Sequence, residues 1–246
     1  MPTSRIAAKD RLILALDLPG VKQSRAMVAK LEGLIGFFKI GLVLQLAPGT
    51  EDFIGSLVQQ GKKVFLDYKY YDIAETLKKA VATVARLGVS FLTVHGSRNL
   101  IRGAVEGRGS SDLKLLTVTV LTSMDASDIG EMGYTNTSVQ DLVLFRARKA
   151  LEAGCDGVIA SGRETQSIKE LSQNRLLVVV PGIRPDGYPE DDQKRRVSAR
   201  DAILAGADYL VIGRPITDAA NPASEAKKFI HEMQAAFDER IESAAP

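Results

Sequence analysis

The chain has 246 residues, 45% apolar and 25% charged, the composition of an ordinary globular protein. Its 32 basic and 30 acidic residues leave a net charge of +2, too small a bias to support binding to nucleic acid or a membrane surface. A single cysteine, Cys155, excludes an intramolecular disulfide. Two distant histidines with no CxxC or HExxH pattern exclude the usual zinc frameworks, leaving a carboxylate-bound magnesium open.

Met1–Asp10 lacks an apolar signal core, and no apolar run reaches the roughly 18 residues of a spanning helix. A soluble, cytoplasmic protein is expected. Short apolar runs then recur at 12–16, 37–40, 64–66, 91–94, 115–120, 157–160, 176–180 and 209–212. Most are continuous rather than alternating, as in parallel strands covered on both faces. Helical patterns lie between them at 24–34, 51–60, 74–87, 139–153, 199–205 and 223–237. Gly88, Gly154 and Gly206 each stand just before a strand, where a left-handed residue ends a helix, and Gly61 is placed to do the same. The glycine-rich stretch 103–112 reads as a surface turn, and 123–138 as a longer loop with a short helical piece. The stretch 181–196, rich in Gly, Pro, Asp and Arg, is the longest irregular segment and has the character of a lid or binding loop. Eight strands alternating with helices predict a single-domain (β/α)₈ TIM barrel over 1–246, with a doubly wound open sheet as the alternative.

The run Val64-Phe65-Leu66-Asp67-Tyr68-Lys69-Tyr70-Tyr71-Asp72-Ile73 carries the sharpest chemical signal. Period-two alternation places Asp67 and Lys69 on one face of a strand, and Asp72 follows where a helix should begin. An ordinary strand does not aim a carboxylate and an ammonium at its buried face. Barrels of this kind build their sites at the C-terminal strand ends. Those ends read Asp17, Lys39, Asp67 with Lys69, His95, Thr122, Arg184, and Gly213 with Arg214.

Plainer readings exist for most of them. Asp17 could cap a turn, Lys39 could snorkel to the surface, and Thr122 or Ser123 could cap a helix. His95 is better read as a satisfied core histidine, Lys194-Arg195-Arg196 as a solvated face, and Cys155 as a small buried thiol. The run Val211-Ile212-Gly213-Arg214-Pro215 couples a glycine that lets backbone approach a phosphate to an arginine that can fork onto it. Arg184 and Gln193 flank the preceding loop and could close over the same group. Neither GxGxxG nor GxxxxGK[ST] occurs, so dinucleotide and P-loop readings lose support.

On these residues the chain resembles the orotidine 5′-phosphate decarboxylase family over essentially its whole length. The most specific element is D-x-K-x-x-D-I, here Asp67, Lys69, Asp72 and Ile73, with Thr76 following. Ala15-Leu16-Asp17, Phe38-Lys39-Ile40-Gly41, Leu121-Thr122-Ser123-Met124, Pro181-Gly182-Ile183-Arg184-Pro185, Asp192-Gln193 and Ile212-Gly213-Arg214-Pro215 support it in order. Tyr71 departs from the histidine frequent in that family, and Ala74 from its proline.

The resemblance implies cofactor-independent decarboxylation of orotidine 5′-phosphate to UMP, the last step of de novo pyrimidine synthesis. It implies a homodimer with shared sites, Asp72 serving its neighbour. Lys69 would protonate C6, beside Asp67. Lys39, Asp17 and the partner's Asp72 would complete the charge network. Ile73 and Thr76 would belong to the substrate site, and Thr122 or Ser123 would read the base. Arg184, Gln193, Gly213 and Arg214 would grip the phosphate. The nearest rivals are sugar-phosphate enzymes of the same barrel group, 3-keto-gulonate 6-phosphate decarboxylase and hexulose-phosphate synthase. These use magnesium, with an acidic residue where this chain has Lys39. A non-catalytic phosphate-ligand sensor is a rival of a different class, and it would not require Lys69 between two aspartates.

Overall fold

The structure is a computed structural model and describes residues 7–243. The part of Met1–Asp10 before position 7 thus lies outside the described residues. Eight strands, β1 (Leu12–Ala15), β2 (Phe37–Gly41), β3 (Lys63–Tyr70), β4 (Phe91–Val94), β5 (Lys114–Val118), β6 (Gly157–Ile159), β7 (Leu177–Val180) and β8 (Tyr209–Ile212), form a closed barrel. Every neighbouring pair is parallel, including β8 with β1, which selects the barrel over the open sheet. Closure leaves no free sheet edge. The helices α1 (Val21–Lys30), α2 (Leu42–Gln45), α3 (Thr50–Gln59), α4 (Ala74–Ala85), α5 (Arg98–Arg108), α6 (Ala126–Glu131), α7 (Val139–Ala153), α8 (Thr165–Ser172), α9 (Ala199–Leu204), α10 (Arg214–Thr217) and α11 (Pro222–Ser243) complete the chain.

Alternation along the strands sorts their side chains into two buried sets. Leu12, Leu14, Phe38, Ile40, Val64 and Leu66 join the larger apolar cluster with the helices. Ile13, Ala15, Phe37, Phe65, Phe91, Leu116, Val179 and Val211 form a second cluster inside the barrel. Phe91 lies edge-on to Phe37 and Tyr209, with centroids 5.0 and 5.1 Å away. Two residues further along three of these strands, on the same face, come Asp17 after Ala15, Lys39 after Phe37 and Asp67 after Phe65. An aromatic plug thus underlies a layer of charge, and the pleat itself aims those charges at the barrel axis.

The structure overturns one sequence reading of secondary structure. The stretch around Gly103 is no surface turn, because Arg98–Arg108 is helical. Glycines weaken a helix in isolation, but a Cβ at Gly103 or Gly107 would collide with the backbone of Ala74 or Lys78. Both glycines therefore mark close packing of α5 on α4. Helices α2, α8 and α10 lie outside the helical patterns of the sequence. The proposed helix-ending glycine at 154 does adopt a left-handed conformation, with φ of 81°, and closes α7. Gly61, Gly88 and Gly206 share that handedness.

Candidate active site

Four side chains, Asp17 just after β1 and three on β2 and β3, form an alternating row of charge at the barrel mouth. Lys39 Nζ lies 3.0 and 3.1 Å from the two carboxylate oxygens of Asp17 and 3.5 Å from Asp67 Oδ2. Lys69 Nζ donates to Asp67 Oδ1 at 2.9 Å. The order is thus minus, plus, minus, plus: Asp17, Lys39, Asp67, Lys69. Lys39 is only 7% exposed, so it does not snorkel. A buried ammonium is tolerated because two carboxylates flank it. Burial pushes the Asp67 carboxyl up, but Lys39 and Lys69, with hydrogen bonds from Lys69 and Thr93, outweigh it and hold the group below its usual range. Lys69 remains one-third exposed and is the accessible cation of the row.

Asp67 and Lys69 meet by a different route from simple alternation. The pairing of β3 with β4 slips between Leu66 and Tyr70, and Lys69 has a left-handed φ of 50°. Such backbone is costly for a lysine and collects at functional sites. Asp72, Ile73 and Thr76 lie at the exposed entry to α4 and outside the row. The Asp72 carboxylate accepts from the Ile73 N–H at 2.6 Å. Tyr71 and Ile73 beside it are 67% and 68% exposed.

Across the mouth, the loop between β7 and α9 carries Arg184 and Gln193, and Gly213 and Arg214 follow β8. Arg214 is nearly half exposed and contacts Asp192 closely and Asp191 at 3.4 Å. Arg184 is buried. It pairs with Asp191 at 2.6 Å, donates to the Ile183 carbonyl and stacks over Tyr188. The Thr122 hydroxyl donates to Gln193 Oε1, joining the segment after β5 to this loop. Gly213 sits between β8 and Arg214, where a Cβ would press on that of Ala15 at 3.3 Å. A cavity of about 740 Å³ lies beside the loop, lined by Asp125, Arg163, Glu164, Gln193 and Arg195 but not by the charge row.

Comparison with known proteins gives the family. Residues 10–229 match the model of the orotidine 5′-phosphate decarboxylase / HUMPS family. The chain belongs to that family. It is 52% identical over 226 residues to the orotidine 5′-phosphate decarboxylase of Nitrobacter winogradskyi, covering 92% of this chain and 93% of the relative. Its identity to the enzyme of that name from Methylococcus capsulatus is 45% over 224 residues, 91% of each chain. The crystal structure of orotidine 5′-phosphate decarboxylase from Lactobacillus acidophilus superposes with a TM-score of 0.79 at 34% identity, covering 91% of this chain and 99% of that one.

Within this orotidine 5′-phosphate decarboxylase family framework, two further residues adjoin the charge row: Gly41, named above only within a motif, and Thr93. Gly41 stands opposite Asp67 in the β2–β3 register, and a Cβ there would lie 2.9 Å from both Asp17 Oδ1 and Lys39 Nζ. Thr93, in the middle of β4, bonds to both Asp67 and Lys69. Its signal was faint: a polar residue two positions after the lumen-facing Phe91. Glu164 is buried and pairs with Arg195 at 2.8 Å. Arg195 also donates to the carbonyls of Val120 and Leu121, which overturns its reading as part of a solvated face. His95 and Cys155 follow their plainer readings. His95 is half-buried with Nδ1 3.2 Å from the Val118 carbonyl oxygen, and burial lowers its pKa. Cys155 is a buried free thiol whose pKa burial raises.

Proposed function

We propose that this chain decarboxylates orotidine 5′-phosphate to UMP and CO₂, with Lys69 protonating C6 and no cofactor taking part. The observation that carries this reading is the row Asp17–Lys39–Asp67–Lys69 over a closed apolar plug, in a chain of the decarboxylase family. Breaking the C6–carboxyl bond leaves an electron pair on C6 with little resonance help. An ammonium fixed at that point stabilises the developing charge and then supplies the proton. Asp67 holds Lys69 in place, and Lys39 keeps Asp67 ionised. Fixed charges in a water-poor site act more strongly than solvated ones. Lys39 also argues against the magnesium-dependent sugar-phosphate reading. Its ammonium already occupies the space between Asp17 and Asp67.

The remaining substrate contacts follow from position. Arg214 and the backbone at Gly213 grip the phosphate, with Gln193 closing from the loop. Arg184 shapes that loop through Asp191. Thr122 or Ser123 reads the base. Asp72, Ile73 and Thr76 serve the site of a second subunit in a homodimer, a reading supported by their exposure beside Tyr71. Binding energy from the phosphate drives loop closure and orients the reacting carbon. Among the described residues no helix is long and apolar enough to cross a membrane. We place the enzyme in the cytoplasm.

The test follows orotidine 5′-phosphate absorbance with and without EDTA. Consumption unaffected by EDTA is expected. Loss of consumption in EDTA would overturn the cofactor-free mechanism, magnesium-dependent turnover of a sugar phosphate instead of orotidine 5′-phosphate would favour the sugar-phosphate enzymes, and UMP binding without turnover would indicate a sensor. Lys69→Ala should abolish turnover and keep UMP affinity; near-normal turnover in folded Lys69→Ala would defeat the mechanism.

A further inference from the structure

We infer that Thr93 is a positioning residue for the decarboxylation, its hydroxyl locking Lys69 and Asp67 into their working geometry. Thr93 is wholly buried in β4, two residues beyond Phe91 and on the same, lumen-facing side of the strand. The Lys69 backbone N–H donates to Thr93 Oγ1 at 2.9 Å, and the Thr93 hydroxyl lies 3.0 Å from Asp67 Oδ1. The Leu66 carbonyl is a more distant acceptor, at 3.5 Å. A hydroxyl has one hydrogen, and the nearer, charged acceptor takes it.

The two bonds address two separate difficulties. Lys69 is left-handed at the slip between β3 and β4, so its N–H leaves the regular ladder. A buried N–H needs a partner, and Thr93 Oγ1 supplies it. Asp67 Oδ1 is also the oxygen that receives Lys69 Nζ. One oxygen atom of Thr93 therefore holds the lysine from its backbone and, through Asp67, from its tip. Valine has the same shape but would leave the Lys69 N–H unpaired and free the carboxylate to rotate. Among the described residues the Thr93 hydroxyl bonds to none of the phosphate residues, so its loss should touch the chemical step and spare binding.

This role rests on Lys69 as the proton donor, and the test keeps the two claims apart. Parent, Lys69→Ala, Thr93→Val, Thr93→Ser and Thr93→Cys are compared in kcat, KM and UMP affinity. We expect Thr93→Val to lower kcat about 10- to 100-fold, with KM and UMP affinity within about threefold. Thr93→Ser should restore kcat to within about fivefold of the parent, because it returns the hydroxyl without the methyl. If Thr93→Val does not fold, Thr93→Cys decides, its weaker thiol donor placing kcat below that of Thr93→Ser. Folded Thr93→Val with parental kcat, or Ser and Cys variants of equal kcat, would overturn the inference. An inactive parent, or an active Lys69→Ala, would instead overturn the reading beneath it.

Discussion

Asp67 lies between two ammonium groups, and its behaviour in acid follows from that position. Its folded pKa lies below the 3.8 of a free aspartate despite burial, since Lys39 and Lys69 favour the charged form. A depressed carboxylate stabilises the fold fully above its unfolded pKa and loses that contribution as pH falls through the folded value. The stability difference between parent and Asp67→Asn should thus hold constant from neutral pH down to about 4 and shrink below that. Urea unfolding at several pH values measures it, and a difference that vanishes near pH 6 would mean burial had won. Arg214 is the accessible cation at the eighth strand end. Arg214→Ala should lower kcat/KM roughly 100-fold or more, combining a charged hydrogen bond of about 1.5–3 kcal/mol with lost closure. A loss of tenfold or less in steady-state kinetics would place the phosphate elsewhere.

At the scale of elements, α4 and α5 show how packing overrides propensity. Alanine is normally about 1 kcal/mol better than glycine inside a helix. At Gly107 the sign should reverse, because a Cβ would strike the Lys78 backbone, which has no rotamer to yield. Overpacking of this kind costs about 1–3 kcal/mol. Gly107→Ala should therefore lower Tm by about 2–8 °C while leaving turnover near parental, as read by thermal unfolding and kinetics together. Gly103 presses on Ala74, the first residue of α4 and two after Asp72. The same substitution there displaces the entry to α4 as well. The loop after β7 is anchored in a comparable way. Arg195 donates its backbone N–H to the Thr122 carbonyl, and its own carbonyl accepts from Ser161. Its guanidinium pairs with Glu164 in the interior.

For the whole molecule, the decisive question is whether two chains share each site. The entry to α4 presents Asp72 and Ile73 outward, and Leu42 and Leu46 are 60% and 93% exposed on α2 and just beyond it. If Asp72 serves its neighbour, a dimer of one Lys69→Ala and one Asp72→Ala chain contains one intact site. Equal mixing with free exchange makes half the dimers hybrid, so about a quarter of parental activity should return. No recovery after demonstrated subunit exchange would place Asp72 in its own chain's chemistry.

Much of this was legible along the chain. Buried strands of a parallel barrel are short apolar runs, and the mouth residues follow each run immediately, so Asp17, Lys39, Asp67 and Lys69 could be named from order alone. Strand periodicity predicted that Asp67 and Lys69 meet, but the contact is made through the slip of β3 on β4 and the left-handed backbone at Lys69 rather than by alternation. Contacts between distant segments were not legible. Thr93 looks like any strand threonine until β3 slips against β4. Gly41 is one more motif glycine after an apolar run until Asp17 and Lys39 fill the space its side chain would need. Arg195 looks like one charge in a polar run until Glu164 approaches from a segment 31 residues away. The glycines of α5 read as a turn because propensity counts a missing side chain as a loss, whereas α4 requires it to be missing. The amino-acid order by itself determined the barrel, the family and the charged residues at the strand ends, through hydrophobic period and residue type. Only the closed tertiary structure decided how those charges are held, because burial and hydrogen-bond partners arise when separate strands meet.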